Sequence, residues 1–425
     1  MKVLVVGSGG REHALVWALA RSSGVREVIS VPGNGGIAEL ARCVPADLGD
    51  PHELARVATA EGVDLTFIGP ELPLVKGVAD EFMRRGLRIV GPDARAARLE
   101  GSKAFAKAFM ARHGIPTARF AICESASEAR RVIASGRFGF PLVIKADGLA
   151  AGKGVSLAHT PEEAETIIER FMIERVLGAA GERVVLEEYL TGRECSFLLF
   201  TDGDSVLPLP PAQDYKRAHE GDRGPNTGGM GAISAPHLLD EETRDRILEE
   251  IVRPTLRAAA REGFPYRGIL YVGLMLTREG PRVLEYNVRL GDPEAQVILP
   301  RLESDLLEIG EALLAGTLSR LRPRWSADAT VCVVLASGGY PEAYHTGYPI
   351  QGLEDAHRLE GVVIFHAGTR RASDGSLLTS GGRVLNVVAR GRTLAEARER
   401  AYRAASRIAF ERMHYRRDIG AEWCA

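Results

Sequence analysis

Cysteine is scarce in this chain of 425 residues: Cys43, Cys123, Cys195, Cys332 and Cys424 lie far apart and are odd in number. No C-x-x-C pair is present, which excludes the usual zinc-knuckle and dithiol redox motifs. Such usage fits a reducing cytoplasm. Net charge is equally scant. Lys and Arg number 54 against 56 Asp and Glu, a formal balance of -2, so no global field draws nucleic acid or an anionic membrane. Any bound phosphate must be held by local groups. Long apolar runs are missing too, since no segment reaches the roughly 18 residues that a membrane span needs. The opening MKVLVVGSGGREHALVWALA starts like a secretory leader, but Arg11, Glu12 and His13 break the stretch early. Internal repeats and low-complexity tracts are also absent. The expectation is a cytoplasmic protein of two or three domains, acting as a monomer on small molecules, with neither nucleic acid nor membrane as partner.

Residues 2 to 92 alternate short β-branched runs, KVLVV, EVISV, DLTFI and LRIV, with amphipathic helical patterns, which predicts an open parallel sheet. Lys103 to Gly114 reads as a helix ended by Gly114 and Pro116. Residues 117 to 190 form a small strand and helix unit. A long helix should start at Asp240, a plausible N-cap, and bend at Pro254. GILYVGLMLTREGPRVLEYNV reads as a hairpin. Residues 325 to 425 look like a separate strand-rich unit closed by a helix around Leu394 to Met413.

Several loops carry chemistry. GSGGREHA follows the first strand, yet Glu12 stands where a dinucleotide fold needs its third glycine, and EVISV ends without an acid for a ribose. Backbone N–H groups at Gly9 and Gly10, with Arg11, still suit one phosphate monoester. KADGLAAGKG (145 to 154) is no Walker loop: the spacing is wrong, and Gly154 replaces the metal-binding hydroxyl. It reads as a mobile glycine flap whose N–H groups, at Gly152, Lys153 and Gly154, cover polyphosphate while Lys145 supplies charge. In VLEEYLTGRE, Glu187 and Glu188 end a strand, Leu190 offers a backbone N–H to a purine edge, and Glu194 offers acceptors to a ribose. In VLEYNVRLGDPEAQ, a strand would align Glu285, Asn287 and Arg289 on one face, two oxygen ligands for a magnesium-nucleotide beside a guanidinium. Between these, QDYKRAHEGDRGPNTGGMGA places Asp214, Lys216, Asn226 and Thr227 among glycines, suited to an anionic or zwitterionic substrate.

KADGLAAGKG, EEYLTGRE and EYNVRLGDPE together resemble the ATP-grasp superfamily of carboxylate-amine ligases. The ordered set GSGGREHA, PGNGG, GPELPLVKG, EGSKAF, QDYKR, GPNTGGMGA and RLGDPEAQ is similar, over essentially the whole chain, to the family of phosphoribosylamine-glycine ligases. The resemblance implies an α/β protein with three parts. These are an N-terminal open parallel sheet domain (1–102, pre-ATP-grasp, substrate-binding), an ATP-grasp domain (103–323) with a small mobile lid at about 121–190, and a strand-rich C-terminal domain (324–425). It also implies that ATP phosphorylates glycine to glycyl phosphate, which the amine of 5-phosphoribosylamine then attacks. Lys103 and Lys145 would contact ATP phosphates, Glu187, Glu188, Leu190 and Glu194 the adenosine side, and Glu285 and Asn287 magnesium, with manganese as substitute. Arg289 would face the developing acyl phosphate, with Lys145 as its catalytic partner. Gly10, Arg11, Glu12, Asp214, Lys216, Asn226, Thr227 and Asp292 would lie on the substrate side. Another ATP-grasp ligase with a different acceptor, or a nucleotide-binding regulatory module without turnover, are the alternatives.

Overall fold

The computed structural model describes residues 1–150 and 152–424. Its N-terminal part is a five-stranded, wholly parallel sheet in the order Arg42–Cys43, Glu27–Pro32, Lys2–Gly7, Leu65–Ile68, Ile89–Val90. Val3, Leu4, Val5 and Val6 in the central strand are fully buried, as expected of a parallel strand covered on both faces. The helix Gly10–Ala20 starts directly behind that strand.

Ser102 caps the next helix, Lys103–Arg112, by accepting a hydrogen bond from the Phe105 N–H. Gly114, at φ +65, turns the chain away. The segment expected to act as a lid is a four-stranded antiparallel sheet in the order Phe120–Cys123, Val184–Glu188, Leu142–Ala146, Val155–Ala158. It has its own small core of Cys123, Leu142, Ile144, Ile168, Val184 and Leu186, so it can behave as a unit.

Apart from two two-stranded ribbons, Arg217–His219 with Arg223–Asn226 and Thr369–Arg371 with Leu377–Thr379, the remaining strands build one ten-stranded sheet. Along its length run Gly280–Asn287, Gly268–Thr277, Arg193–Thr201, Ala212–Asp214, Gly231–Ser234, Ala329–Ser337, Arg383–Gly391 and Val362–His366. The strand-rich C-terminal segment shares this sheet with the residues before it. Ala329–Ser337 pairs antiparallel with Gly231–Ser234, so the sheet crosses the predicted boundary without a break. An isolated edge in either half would expose unpaired backbone groups, and joining removes both edges. The closing helix is also shorter than predicted, Leu394–Ala405, and Met413–His414 instead pairs with the Ala336–Ser337 end of a strand.

Asp240 caps its helix through the Thr243 N–H, as its sequence suggests. Pro254 lacks an N–H, and the helix meets it with a wide turn at Leu248–Val252 between regular segments Glu241–Ile247 and Arg253–Arg261. The glycine-rich stretch after Asp214 contains a two-stranded ribbon, Arg217–His219 with Arg223–Asn226. Among the described residues no helix is long and apolar enough to cross a membrane.

Gly231 sits at the seam of the shared sheet, where a β-carbon would come within 2.6 Å of the Cys332 carbonyl oxygen. Gly231→Ala should therefore lower stability by about 1–3 kcal/mol through overpacking. Urea denaturation measures this, and an unchanged midpoint would argue against a continuous sheet.

Candidate active site

A cleft of about 1520 Å3 lies between the lid sheet, the hairpin Gly268–Asn287 and the loop carrying Arg11. Lys103, Lys145, Gly152, Lys153, Gly154, Leu190 and Glu194 all line it. Lys145 donates a hydrogen bond to the Leu284 carbonyl at 3.0 Å, and Lys103 donates one to the Gly148 carbonyl at the base of the flap, also at 3.0 Å. Burial lowers the Lys103 pKa, while Glu285 opposes that shift.

Glu187 is buried between two ammonium groups, with Lys107 Nζ at 2.8 Å and Lys145 Nζ at 3.0 Å. Its Oε1 nevertheless has no hydrogen-bond donor. Lys145 is near enough for Coulomb attraction but lies off the hydrogen-bonding direction, so we take this contact as an ion pair. Glu187 thus acts first as the anion that pins the lysines. Lys107 was not anticipated, although its i,i+4 spacing from Lys103 on one helix was a usable signal. Lys107 also donates to Thr117 Oγ1 at 2.7 Å, and that hydroxyl donates to the Val283 carbonyl at 2.6 Å, tying the helix to the hairpin. Glu188 also lines the cleft. Adjacent strand residues point to opposite faces, and its carboxylate accepts from Arg119 Nε at 2.6 Å and the Arg119 N–H at 2.8 Å.

The hairpin strand ends at Asn287, short of the predicted Arg289. A bulge makes Leu284 an extra residue: Gly273 pairs with Glu285 but Leu274 pairs with Val283. Glu285, Asn287 and Arg289 still converge on the cleft. Arg289 is held by two carboxylates and an amide oxygen, donating to Glu100 Oε1 at 2.6 Å, Glu71 Oε2 at 3.3 Å and Asn287 Oδ1 at 3.1 Å. The second Glu100 oxygen accepts from the Val288 N–H at 2.7 Å. Burial pushes the Glu100 pKa up to about 7, with Arg289 opposing and Glu71 adding to the shift. For Glu285 burial works the other way from the result: Lys216, Lys145, Lys103 and Arg289 together hold it down to about 2.

Among the described residues no cluster of three or more His, Cys, Asp or Glu has the geometry of a metal site. Glu285 and Asn287 offer one carboxylate and one amide oxygen. This sparse, hard donor set fits a magnesium ion that keeps phosphate oxygens and water as its remaining ligands.

On the far wall, Asp214, Lys216, Asn226, Thr227, Asp292 and Arg11 line the cleft. Lys216 Nζ lies 3.6 Å from Glu285 and 3.7 Å from Glu194. Burial and the Glu294, Glu194 and Glu285 charges raise the Asp214 pKa, with Lys216 opposing. Thr227 also braces its own loop. Its hydroxyl donates to the Lys216 carbonyl at 2.8 Å and accepts from the Gly229 N–H at 2.9 Å. Gly10 and Glu12 are not among the residues that line the cleft. Glu12 is buried and caps its own helix by accepting from the Gly9 N–H, and it pairs with Arg11 Nε at 2.6 Å. The Gly9 N–H is therefore not free for a phosphate, and a β-carbon at Gly10 would meet Asn386 Nδ2 at 2.2 Å. Arg11 alone of this loop reaches the cleft, its Nη1 donating to the Leu290 carbonyl. Glu71, Glu100, Tyr271, Glu294, Tyr340 and Arg383 also line the cleft. They stand far apart in the chain, so only folding gathers them.

Three family descriptions match the chain in order: "Phosphoribosylglycinamide synthetase, N domain" over residues 1–100, "ATP-grasp (A) domain" over 101–295, and "C domain" over 330–422. A phosphoribosylamine–glycine ligase of Caldanaerobacter subterraneus is 48% identical over 421 residues, covering 99% of this chain and 100% of that one. One from Pseudomonas aeruginosa is 49% identical over 423 residues, with coverage of 99% and 97%. The crystal structure of a phosphoribosylamine–glycine ligase from Thermotoga maritima superposes with a TM-score of 0.85 at 39% identity, covering 99% of this chain and 100% of that one. A biotin carboxylase domain from Hydrogenobacter thermophilus shares the fold, with a TM-score of 0.74 at 19% identity and coverage of 97% and 91%.

Replacing Lys107 by methionine leaves Glu187 with one cation instead of two. Stability should fall by at most about 3 kcal/mol, the low end for breaking a buried pair, because Lys145 remains. Chemical denaturation reports the change, and none would mean that Lys107 does not hold Glu187.

Proposed function

The chain belongs to the phosphoribosylglycinamide synthetase family, and on that premise we propose that it is an ATP-dependent carbon–nitrogen ligase of purine biosynthesis, joining glycine to 5-phosphoribosylamine. The observation that supports this most is the convergence of Lys103 and Lys145 with Glu285, Asn287 and Arg289 on one cleft beneath the glycine flap.

In the first step a glycine carboxylate oxygen attacks the γ-phosphorus of ATP, and ADP departs with the bridging oxygen, leaving glycyl phosphate. In the second, the amine of 5-phosphoribosylamine attacks the acyl carbon and inorganic phosphate leaves, giving the amide of glycinamide ribonucleotide. Neither step needs a covalent bond to the protein, so its task is positioning and charge stabilisation. Lys103, Lys145 and the N–H groups of the flap at Gly152, Lys153 and Gly154 cradle the phosphates. Glu187, Glu188 and Leu190 face the adenine, and Glu194 the ribose. Arg289, oriented by Glu100 and Glu71, faces the transferring phosphoryl group. Asp214, Lys216, Asn226, Asp292 and Arg11 form the wall toward glycine and the ribosyl amine. Glu285 and Asn287 would hold magnesium, or manganese in its place, which neutralises phosphate charge when bound. The reading carries with it a monomer working in the cytoplasm.

Purified protein given ATP, magnesium, glycine and phosphoribosylamine generated in situ should release ADP only when both glycine and the amine are present. Release indifferent to glycine would overturn the reading. Arg289→Ala should lower kcat by roughly a hundredfold or more if its contact strengthens in the transition state. Equal effects on ATP binding and turnover would show uniform binding instead.

The Glu100 carboxylate orients Arg289 only when ionised, and burial raises its pKa to about 7. As pH falls through that value, protonation removes the charge that faces Arg289, so kcat should decline. Glu100→Gln should be less active and should lose that limb of the pH profile. An identical limb in the variant would assign it to another group.

A further inference from the structure

The C-terminal segment reaches the cleft through Arg383, the first residue of the strand Arg383–Gly391. Its guanidinium makes a compact set of contacts. Nη1 donates to the Gly228 carbonyl at 2.6 Å and to the Asp292 carbonyl at 2.9 Å, and lies 3.2 Å from Asp292 Oδ1. Tyr340, from the same segment, takes the other side of the same residue, its hydroxyl accepting from the Gly228 N–H at 3.0 Å. Gly228 is thus fixed at both its N–H and its C=O by side chains from beyond residue 330.

The opposite side of that loop carries the lid. A β-carbon on Gly152 of the flap would lie 2.9 Å from the Thr227 carbonyl oxygen and 3.6 Å from the Gly228 nitrogen. Asn226 Nδ2 donates to the Val155 carbonyl, just past the flap, at 3.2 Å. The Thr227–Gly228 peptide therefore lies between the flap and the Arg383–Tyr340 pair. Asp292 in turn accepts from Gln296 Nε2 at 2.7 Å, and its Oδ2 is 3.2 Å from where a β-carbon on Gly9 would stand. One guanidinium therefore joins the seat of the nucleotide flap to the acid that borders the N-terminal loop.

We propose that Arg383 is a positioning residue: with Tyr340 it fixes the Thr227–Gly228 peptide on which the Gly152 turn of the flap rests, and it aligns Asp292 with that seat. This rests on the ligase reading above, in which the flap covers ATP. Arg383 is anchored for the task, since its strand pairs with Ala329–Ser337, which belongs to the same sheet as Gly231–Ser234 immediately after the loop. All three contacts are made by the one Nη1 nitrogen, so a lysine would keep the charge and could supply part of them, from a more flexible stem.

The test compares wild type, Arg383→Met, Arg383→Lys and Tyr340→Phe. Two readouts are used: affinity for a non-hydrolysable magnesium-ATP analogue by calorimetry, and tryptic cleavage after Lys153, followed by mass, with and without the analogue. Arg383→Met should weaken analogue binding at least fivefold and leave Lys153 cleavable at analogue concentrations that protect wild type. Arg383→Lys should recover part of both effects, and Tyr340→Phe should move both in the same direction by less. Kinetically, the KM for ATP should rise more than that for phosphoribosylamine. A folded Arg383→Met with wild-type affinity and protection overturns the proposal, as does a change confined to the phosphoribosylamine KM, which would make Arg383 a substrate contact. Should Arg383→Met fail to fold, Tyr340→Phe decides, and no change in either readout sinks the claim. Wild-type protein that does not bind the analogue would instead overturn the ligase reading.

Discussion

Charge removed from water must be matched by charge, and that constraint organises the whole cleft. Glu187 is buried against Lys107 and Lys145, Arg289 against Glu100 and Glu71, and Lys216 stands between Glu285 and Glu194. An unpaired ion at such depth would cost several kcal/mol. Here the paired ions also form the machinery: cations already oriented toward the cleft need no reorganisation when a triphosphate arrives. The acids do not merely cancel the bases. They set where each base points.

That order depends on segments distant in the chain being rigid with respect to one another. The helix Lys103–Arg112 presents Lys103 and Lys107 one turn apart, and Thr117 binds the hairpin through the Val283 carbonyl. The bulge at Leu284 keeps Glu285 on the cleft and leaves the Leu284 carbonyl to receive Lys145. Because the ten-stranded sheet continues from the hairpin to Arg383–Gly391, the C-terminal strands share a platform with the metal-side residues. Arg383 and Tyr340 use that platform to reach the loop beneath the flap.

The loop after the first strand shows how one residue type can serve two ends. Glu12 interrupts a dinucleotide fingerprint, and its carboxylate instead satisfies the Gly9 N–H at the helix start and steadies Arg11. One N–H of a motif that looks like an anion cradle is thereby taken by its own chain, and the cation beside it meets the cleft. Asp292, beside Gly9 and Arg383, marks where this loop and the C-terminal segment come together.

Local pattern determined a good deal of this protein from its sequence alone. The parallel N-terminal sheet, the lid hairpin, the Asp240 cap and the Gly268–Asn287 hairpin follow from periodicities and turn residues acting over a few positions, while the gathering of Lys145 with Glu285, Asn287 and Arg289 is implied by the resemblance to ATP-grasp ligases. Tertiary structure alone decided the rest. Whether Glu187 meets a lysine or a ligand, whether Glu188 faces the cleft, whether Glu12 caps a helix, and whether Glu100, Tyr340 and Arg383 belong to the site at all depend on partners tens to hundreds of residues away. Nothing in a residue's neighbours along the chain specifies which opposite charge will stand 3 Å from it, because that choice is made by packing and by the need to leave no buried ion alone.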